Sequence, residues 1–274
     1  MSDEGPYGVL VETRLRVLTW NLWWRFGPWE ARRPAIAATI EALDPDVVAL
    51  QEVWGEPGGT NFAADLADGL GYHHAYAARL QLDGVDFGNA VLSRWSISSS
   101  EATALPAPPV AEEQRLVLRA DVDGPRGPVQ VFSTHLNWQF DHSAIRQDQV
   151  RTIAGAVAAA RPRTYPAVVA GDFNAVPDSD EIRMMTGRKA VPAENLVFHD
   201  AWEVAGDGAG TTWSNGNPYA ALALEPDRRI DYVFVGWPKA GGLGHVTSCE
   251  VVGTEPVDGV VPSDHYGVLA ELRY

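Results

Sequence analysis

The run Val168-Val169-Ala170-Gly171-Asp172-Phe173-Asn174 decides how this chain is read. An apolar strand stops abruptly at an acid, with an amide two residues on. At a strand's period of two, both side chains leave the same face, which holds a carboxylate and an amide together at the strand's mouth. Such a carboxylate activates or orients a nucleophile while the amide hydrogen-bonds a developing oxyanion. Asp and Asn also end strands simply because they tolerate turns, so the run needs company to carry weight.

Similar runs recur. Arg16-Val17-Leu18-Thr19-Trp20-Asn21-Leu22 is an apolar strand ending in a polar group, and Asp46-Val47-Val48-Ala49-Leu50-Gln51-Glu52 ends in a glutamate. Val129-Gln130-Val131-Phe132-Ser133-Thr134-His135-Leu136 closes on a histidine. Arg229-Ile230-Asp231-Tyr232-Val233-Phe234-Val235 and Ser263-Asp264-His265-Tyr266-Gly267-Val268 place further acids and a histidine at strand ends. A core has no use for these groups, because an unpaired buried carboxylate is costly. Convergence on a shared divalent cation offsets that cost.

The order of elements is consistent with convergence. Residues 14–22 read as a strand, 31–43 as a helix with Pro34 in its first turn, and 46–52 as a buried strand. Ile36, Ile40 and Leu43 form the helix's apolar stripe. The second half repeats the plan: a strand at 129–136, a helix at about 144–160 with Ser143 as N-cap and Val150, Ile153 and Val157 buried, and a strand at 167–172. Two strand–helix–strand halves predict a four-layer α/β sandwich, two mixed and mostly antiparallel sheets packed face to face with helices outside. Between the halves, residues 87–94 read as a strand with 115–122 as its neighbour, joined by a loop marked by Pro106, Pro108 and Pro109. Residues 203–228, rich in Gly, Asn and Pro, read as a long surface loop, of the kind that often carries function.

At 274 residues with 46% hydrophobic content, and without an internal linker, the chain reads as a loose segment at 1–13 followed by one domain at 14–274. A single cysteine, Cys249, excludes an intramolecular disulfide and a cysteine-based zinc cluster. No apolar stretch has the length of a bilayer span, and Met1–Tyr7 lacks the pattern of a secretory signal, so a cytoplasmic location is expected, with no stable membrane association and no obligate protein partner. The net charge of −15 argues against a processive nuclease, because non-specific nucleic-acid binding relies on Lys and Arg neutralising phosphates.

The ordered set TWNL (19–22), LQEV (50–53), GNAVLS (88–93), STHL (133–136), GDFN (171–174), RIDYVFV (229–235) and SDHYGV (263–268) resembles the endonuclease/exonuclease/phosphatase (DNase I-like) superfamily across residues 14–272. The fold of that superfamily is the same four-layer sandwich. The resemblance implies a phosphoric ester hydrolase that uses Mg²⁺, or Mn²⁺ in its place. By that resemblance Glu52 is the principal metal ligand, with Asn21 beside it and Asp264 as the later acidic residue at the metal. Asp172 orients or deprotonates the attacking water, and Asn174 hydrogen-bonds the phosphate. His265 contacts a phosphoryl oxygen while Asp231 holds its tautomer, His135 protonates the leaving oxygen, and Asn89 supports the site. The chemistry is coherent on its own terms: hard oxygen ligands favour Mg²⁺ or Mn²⁺ over zinc.

Other candidates carry less. Arg146, at the N-terminal turn of its helix, is a candidate phosphate contact against an ordinary salt bridge. Trp138, Phe140 and His142 follow His135 and read as rim or packing residues. Trp213, Asn215 and Tyr219, on the long loop, are the candidates for substrate contact. The chain departs from inositol-polyphosphate phosphatases, which carry Trp-Cys-Asp-Arg where Arg229-Ile230-Asp231-Tyr232 stands here. It departs from abasic endonucleases in having a histidine, not a tyrosine, at position 135. The reading is a phosphodiesterase or nuclease whose phosphodiester substrate includes nucleic acid among its candidates. A phosphomonoesterase, a sphingomyelinase-like headgroup phosphodiesterase and an inert binding module are the alternatives.

Overall fold

The computed structural model describes residues 5–107, 113–160 and 164–274. The chain opens with β1 (Arg14–Asn21), α1 (Trp29–Leu43) and β2 (Val47–Gly55), then α2 (Phe62–Leu70), β3 (His73–Leu82) and β4 (Val85–Ser93). β5 (Ile97–Ala104) and β6 (Leu116–Val122) lead to β7 (Val129–His135), α3 (Ser143–Ala159) and β8 (Val168–Asp172). Three short elements follow, α4 (Asp180–Met185), β9 (Phe198–Asp200) and α5 (Ala201–Ala205), before β10 (Asp231–Gly236), β11 (Val246–Val252) and β12 (Gly267–Arg273).

The strands form two six-stranded sheets of matching plan, ordered β11-β12-β1-β2-β4-β3 and β5-β6-β7-β8-β10-β9. β1/β2 and β7/β8 are parallel, each joined by a helical crossover, and the remaining pairs are antiparallel. Alternation along each strand sorts the core into layers. Val17, Val47 and Ala49 of one sheet meet Val131, Val168, Ala170 and Val233 of the other between the sheets. Leu18, Trp20, Val48 and Leu50 point outward onto Ile36 and Ile40 of α1 and Phe62 and Leu66 of α2. Phe132, Val169 and Phe234 point outward onto Val150, Ile153 and Val157 of α3. This is the four-layer sandwich expected from the repeat.

The same alternation sets the site. Counting by twos from the inward-facing residues brings Asn21, His135, Asp172 and Asp231 to the inter-sheet side. The register puts them at one end: Asn21 pairs with Gln51, His135 with Asp172, and Asp231 with Asp172.

Several local expectations differ. α1 begins at Trp29, so Pro34 lies inside the helix rather than in its first turn. The N-cap of α3 is His142, which makes no side-chain cap bond, while Ser143 is the first helical residue and its hydroxyl donates to Glu181 Oε2 at 2.7 Å. β6 is not the neighbour of β4: it pairs with β5 and β7 in the opposite sheet, and β4 pairs with β2 and β3. The stretch 203–228 contains the end of α5 and a 3-10 turn at Ala220–Ala223, and it is pinned by a bridge between Trp213 and Arg228. Pro108, Pro109 and residues 1–4 lie outside the described residues. Cys249 is buried in the central layer. Among the described residues no helix is long and apolar enough to cross a membrane.

One glycine is required by the approach of the two central strands of the second sheet. Gly171 of β8 lies opposite Thr134 of β7, and a Cβ there would stand 1.9 Å from the Thr134 carbonyl oxygen. Gly171→Ala is therefore expected to push β7 and β8 apart, costing about 1–3 kcal/mol or more as overpacking, and to separate His135 from Asp172. Urea denaturation checks this; wild-type stability in the variant would show that the ladder accommodates the methyl group without strain.

Candidate active site

The strand ends of both sheets and the loop before β12 enclose a cleft of about 190 Å³ lined by Glu52, Arg115, His135, Asp172, Asn174, Asp264 and His265, with Trp23, Trp138 and Trp213 among its walls. Glu52 reaches it through backbone irregularity. The β2–β4 register shifts between Leu50 and Val53, and Glu52 sits in the left-handed region at φ 52°, a conformation uncommon for a residue with a Cβ. The bulge re-aims a side chain that regular alternation would send the other way.

Asn21 ties the sheets together at this point. Its Nδ2 donates to Glu52 Oε1 and to Asp172 Oδ2, each at 3.0 Å, while its Oδ1 accepts from the Trp23 N–H. The amide thus offers its protons to two acids and turns its oxygen away to the backbone. The other Asp172 oxygen, Oδ1, accepts the Asn174 N–H at 2.8 Å. Asn174 lies beyond the end of β8 in the left-handed region (φ 49°), so a turn, not strand periodicity, delivers it to the cleft. One of its amide protons goes to the Leu136 carbonyl at 3.1 Å, which leaves the second for a ligand.

Both histidines aim Nε2 at the same Asp172 oxygen. His135 Nε2 is 3.4 Å and His265 Nε2 3.7 Å from Asp172 Oδ2. Behind them the partners are opposite in sign: His265 Nδ1 is 2.9 Å from Asp231 Oδ2, whereas His135 Nδ1 is 2.9 Å from Arg115 Nη1. Burial opposes the charged form of His265, yet the Asp231 and Asp172 carboxylates outweigh it and push the imidazole up to about 10. His135 lies well below the usual histidine value, through burial first and then the charges of Arg115 and His265. Burial, reinforced by the Asp231 charge, pushes Asp172 up to about 7. Asp264 also rises to about 7, mainly by burial and further through the Glu52 charge. Burial raises Glu52 as well.

Two acceptors are relevant to a cation. Glu52 Oε2 is buried without a hydrogen-bond partner, and Asp264 is close enough to feel its charge. Asp172, Asp231 and His265 also bring ligand atoms within 4.8 Å of one another, but Asp231 Oδ2 and His265 Nδ1 already bond each other and both Asp172 oxygens are occupied by donors, which leaves Asp231 Oδ1 as the one unpartnered carboxylate oxygen of that cluster. Glu52 with Asp264 is therefore the better oxygen pair for a hard divalent cation.

Three other candidates from sequence, Arg146, Asn89 and Asn215, are not among the residues lining the cleft. Arg146 is buried, with Nε on Glu181 Oε1 at 2.6 Å and Nη1 on the Asn137 and Gln139 carbonyls, so its donors hold the loop after β7 and not a ligand. Asn89 donates to the Leu116 and Ser133 carbonyls across the sheets. Asn215 is exposed and closes its own loop on Asp227 and the Glu225 carbonyl. Trp213 does reach the cleft, edge-on to His265 with ring centroids 4.9 Å apart, and Tyr219 packs on Trp23.

Three arginines escaped the sequence reading. Arg32 is fully buried and donates to the carbonyls of Leu22, Trp23, Trp24, Phe26 and Pro262, shaping the loop after β1 and anchoring the chain just before Asp264. Its place four residues before Ile36, in line with the apolar stripe, was the available signal. Arg228 lies over Phe140 at 4.6 Å, pairs with Glu225 and lines the cleft. Arg115, just before β6, had no comparable signal.

Residues 18–265 match the model of the Endonuclease/Exonuclease/phosphatase family, a family of phosphoester hydrolases, and the chain belongs to it. A stretch of 163 residues is 29% identical to protein angel homolog 2 of Bos taurus, covering 55% of this chain and 30% of that protein; the chain thus spans under a third of the length of this curated relative. The endonuclease/exonuclease/phosphatase from Beutenbergia cavernae DSM 12333 is 29% identical with a TM-score of 0.71, over 95% of this chain and 71% of that one. D. rerio TDP2, complexed with single strand DNA product, shares the fold at a TM-score of 0.77 and 20% identity, over 96% of this chain and 100% of that one.

The buried acids predict a pH dependence of stability in EDTA. Asp172 and Asp264 hold their protons to about 7 in the folded chain, against an ordinary value of 3.8. His135, lowered by burial, opposes them with one proton below 6.5, but the two acids outweigh it, so the folded state binds more protons and stability falls as pH rises across that window. His265 continues the fall, because the stability from its charge is fully present below 6.5 and is lost as pH rises through about 10. Thermal melts from pH 4 to 9 check this, and a stability that rises from pH 4 to 7 would contradict the assignment.

Proposed function

We propose that this chain is a divalent-cation-dependent phosphodiesterase in which Asp172 activates the attacking water. The observation that carries the reading is the convergence of two histidine Nε2 atoms on one Asp172 oxygen, beside a glutamate with an unpartnered buried oxygen. Glu52 and Asp264 would hold Mg²⁺ or Mn²⁺, and charge neutralisation on the phosphoryl oxygens is what such an ion supplies there. Asp172, held by Asn21 and the Asn174 N–H, accepts the proton of an in-line water. His265 donates from Nε2 to a phosphoryl oxygen, with Asp231 accepting its Nδ1–H and keeping the charged form. The remaining Asn174 amide proton and the His135 ring supply further donors where negative charge develops.

The substrate class is a phosphodiester. Short or single-stranded nucleic acid is in keeping with the single strand DNA product bound by D. rerio TDP2, while a net charge of −15 works against a long polyanion.

Hydrolysis of bis-p-nitrophenyl phosphate against p-nitrophenyl phosphate, with Mg²⁺, Mn²⁺ or EDTA, tests the proposal. Diester turnover that EDTA abolishes is expected, with Asp172→Ala slowing it by roughly 10²–10⁴-fold and Glu52→Ala abolishing the metal-dependent turnover. Preference for the monoester would replace the reading with a phosphatase; full metal-dependent turnover in Glu52→Ala would refute the assignment of that ligand.

A further inference from the structure

Arg115 is a buried cation at the back of the cleft that the mechanism above does not use. Its Nε and Nη2 lie 3.3 and 3.2 Å from Glu113 Oε2, its Nη1 lies 2.9 Å from His135 Nδ1, and its guanidinium carbon is 5.6 Å from the Phe87 ring centroid. Phe87 in turn packs on the His135 ring at 6.0 Å. The placement follows from the sheet: Arg115 directly precedes β6, whose Val117 pairs with Thr134, the residue before His135.

The chemistry of this contact admits one arrangement. A guanidinium has five N–H donors and no acceptor, and it does not lose its proton in proteins. The short Arg115–His135 contact therefore has the arginine donating and Nδ1 accepting through its lone pair. A neutral imidazole with an unprotonated Nδ1 carries its proton on Nε2, and that atom faces Asp172 Oδ2 at 3.4 Å and Glu52 Oε1 at 4.0 Å. His265, backed by Asp231, is wired the other way, with a carboxylate accepting from Nδ1.

We infer that Arg115, clamped by Glu113, is a positioning residue that locks His135 in the Nε2–H tautomer, so that His135 serves the reaction as a neutral hydrogen-bond donor and not as a base. Its role in turnover rests on the phosphodiesterase reading; the tautomer itself does not.

The test is ¹⁵N–¹H NMR of histidine-labelled full-length protein, alongside steady-state diester hydrolysis, for the wild type, Arg115→Met and Arg115→Lys. The wild type is expected to show His135 protonated at Nε2 only. Arg115→Met, which removes the donor while keeping an unbranched side chain, should lose that single-tautomer pattern. It should also lower kcat roughly 10–100-fold with KM little changed, the signature of an interaction used in the transition state. Arg115→Lys, still a pure donor, should restore the tautomer and part of kcat. A protonated Nδ1 in the wild type, or an Arg115→Met protein that keeps both the tautomer and kcat, would overturn the inference. A wild type with the Nε2–H pattern but no phosphodiester turnover would uphold the tautomer assignment and refute the activity.

Discussion

The constraint on which the site depends is the packing of two sheets whose inward faces both change from apolar to polar at the same end. Over most of their length Val17, Ala49, Val131 and Ala170 seal the interface. At the end, the same inward positions carry Asn21, His135 and Asp172. Bringing these carboxylates together out of water is unfavourable, and the Asn21 amide answers part of the cost by donating to Glu52 from one sheet and to Asp172 from the other. The remaining oxygen of Glu52 has no protein partner. A buried acceptor left over in a cluster of acids is the local feature that a cation would relieve.

Electrostatic differentiation follows from what stands behind each ring. The two histidines share one target oxygen, but His265 is backed by a carboxylate and His135 by a guanidinium. Carboxylates hold His265 charged, while burial and then the Arg115 charge hold His135 neutral within the same cleft. Arg32 contributes by a different route. It does not line the cleft, yet its bonds to five carbonyls shape the loops that deliver Trp23 and lead into Asp264.

Which strands were legible follows from their position. The central strands β1, β2, β7, β8 and β10 are buried on both faces and read as apolar runs. The four strands that escaped notice, β3, β5, β9 and β11, are the four edges of the two sheets. β5, Ile97–Ala104, is exposed along most of its length and consists largely of Ser, Ala and Glu, so no period-two signal marks it. The pairing of β6 was misjudged for a related reason: sequence proximity to β4 says nothing about which sheet a strand joins. Arg146 was legible as an arginine at the N-terminal turn of α3, but whether it met a ligand or Glu181 depended on α4, a six-residue helix too short to show an apolar period.

The sequence by itself determined the layered architecture and the identity of the polar strand ends, because hydrophobic alternation and abrupt apolar-to-polar changes are local properties of the chain. It also supplied the family resemblance that ordered those ends into a site. Tertiary structure alone decided how the ends are oriented and charged. The left-handed backbone at Glu52 arises from a bulge against β4, and the guanidinium that meets His135 Nδ1 belongs to Arg115, twenty residues away and reached only through strand pairing. Such features reflect long-range contacts and burial, and neither leaves a periodic trace in the sequence.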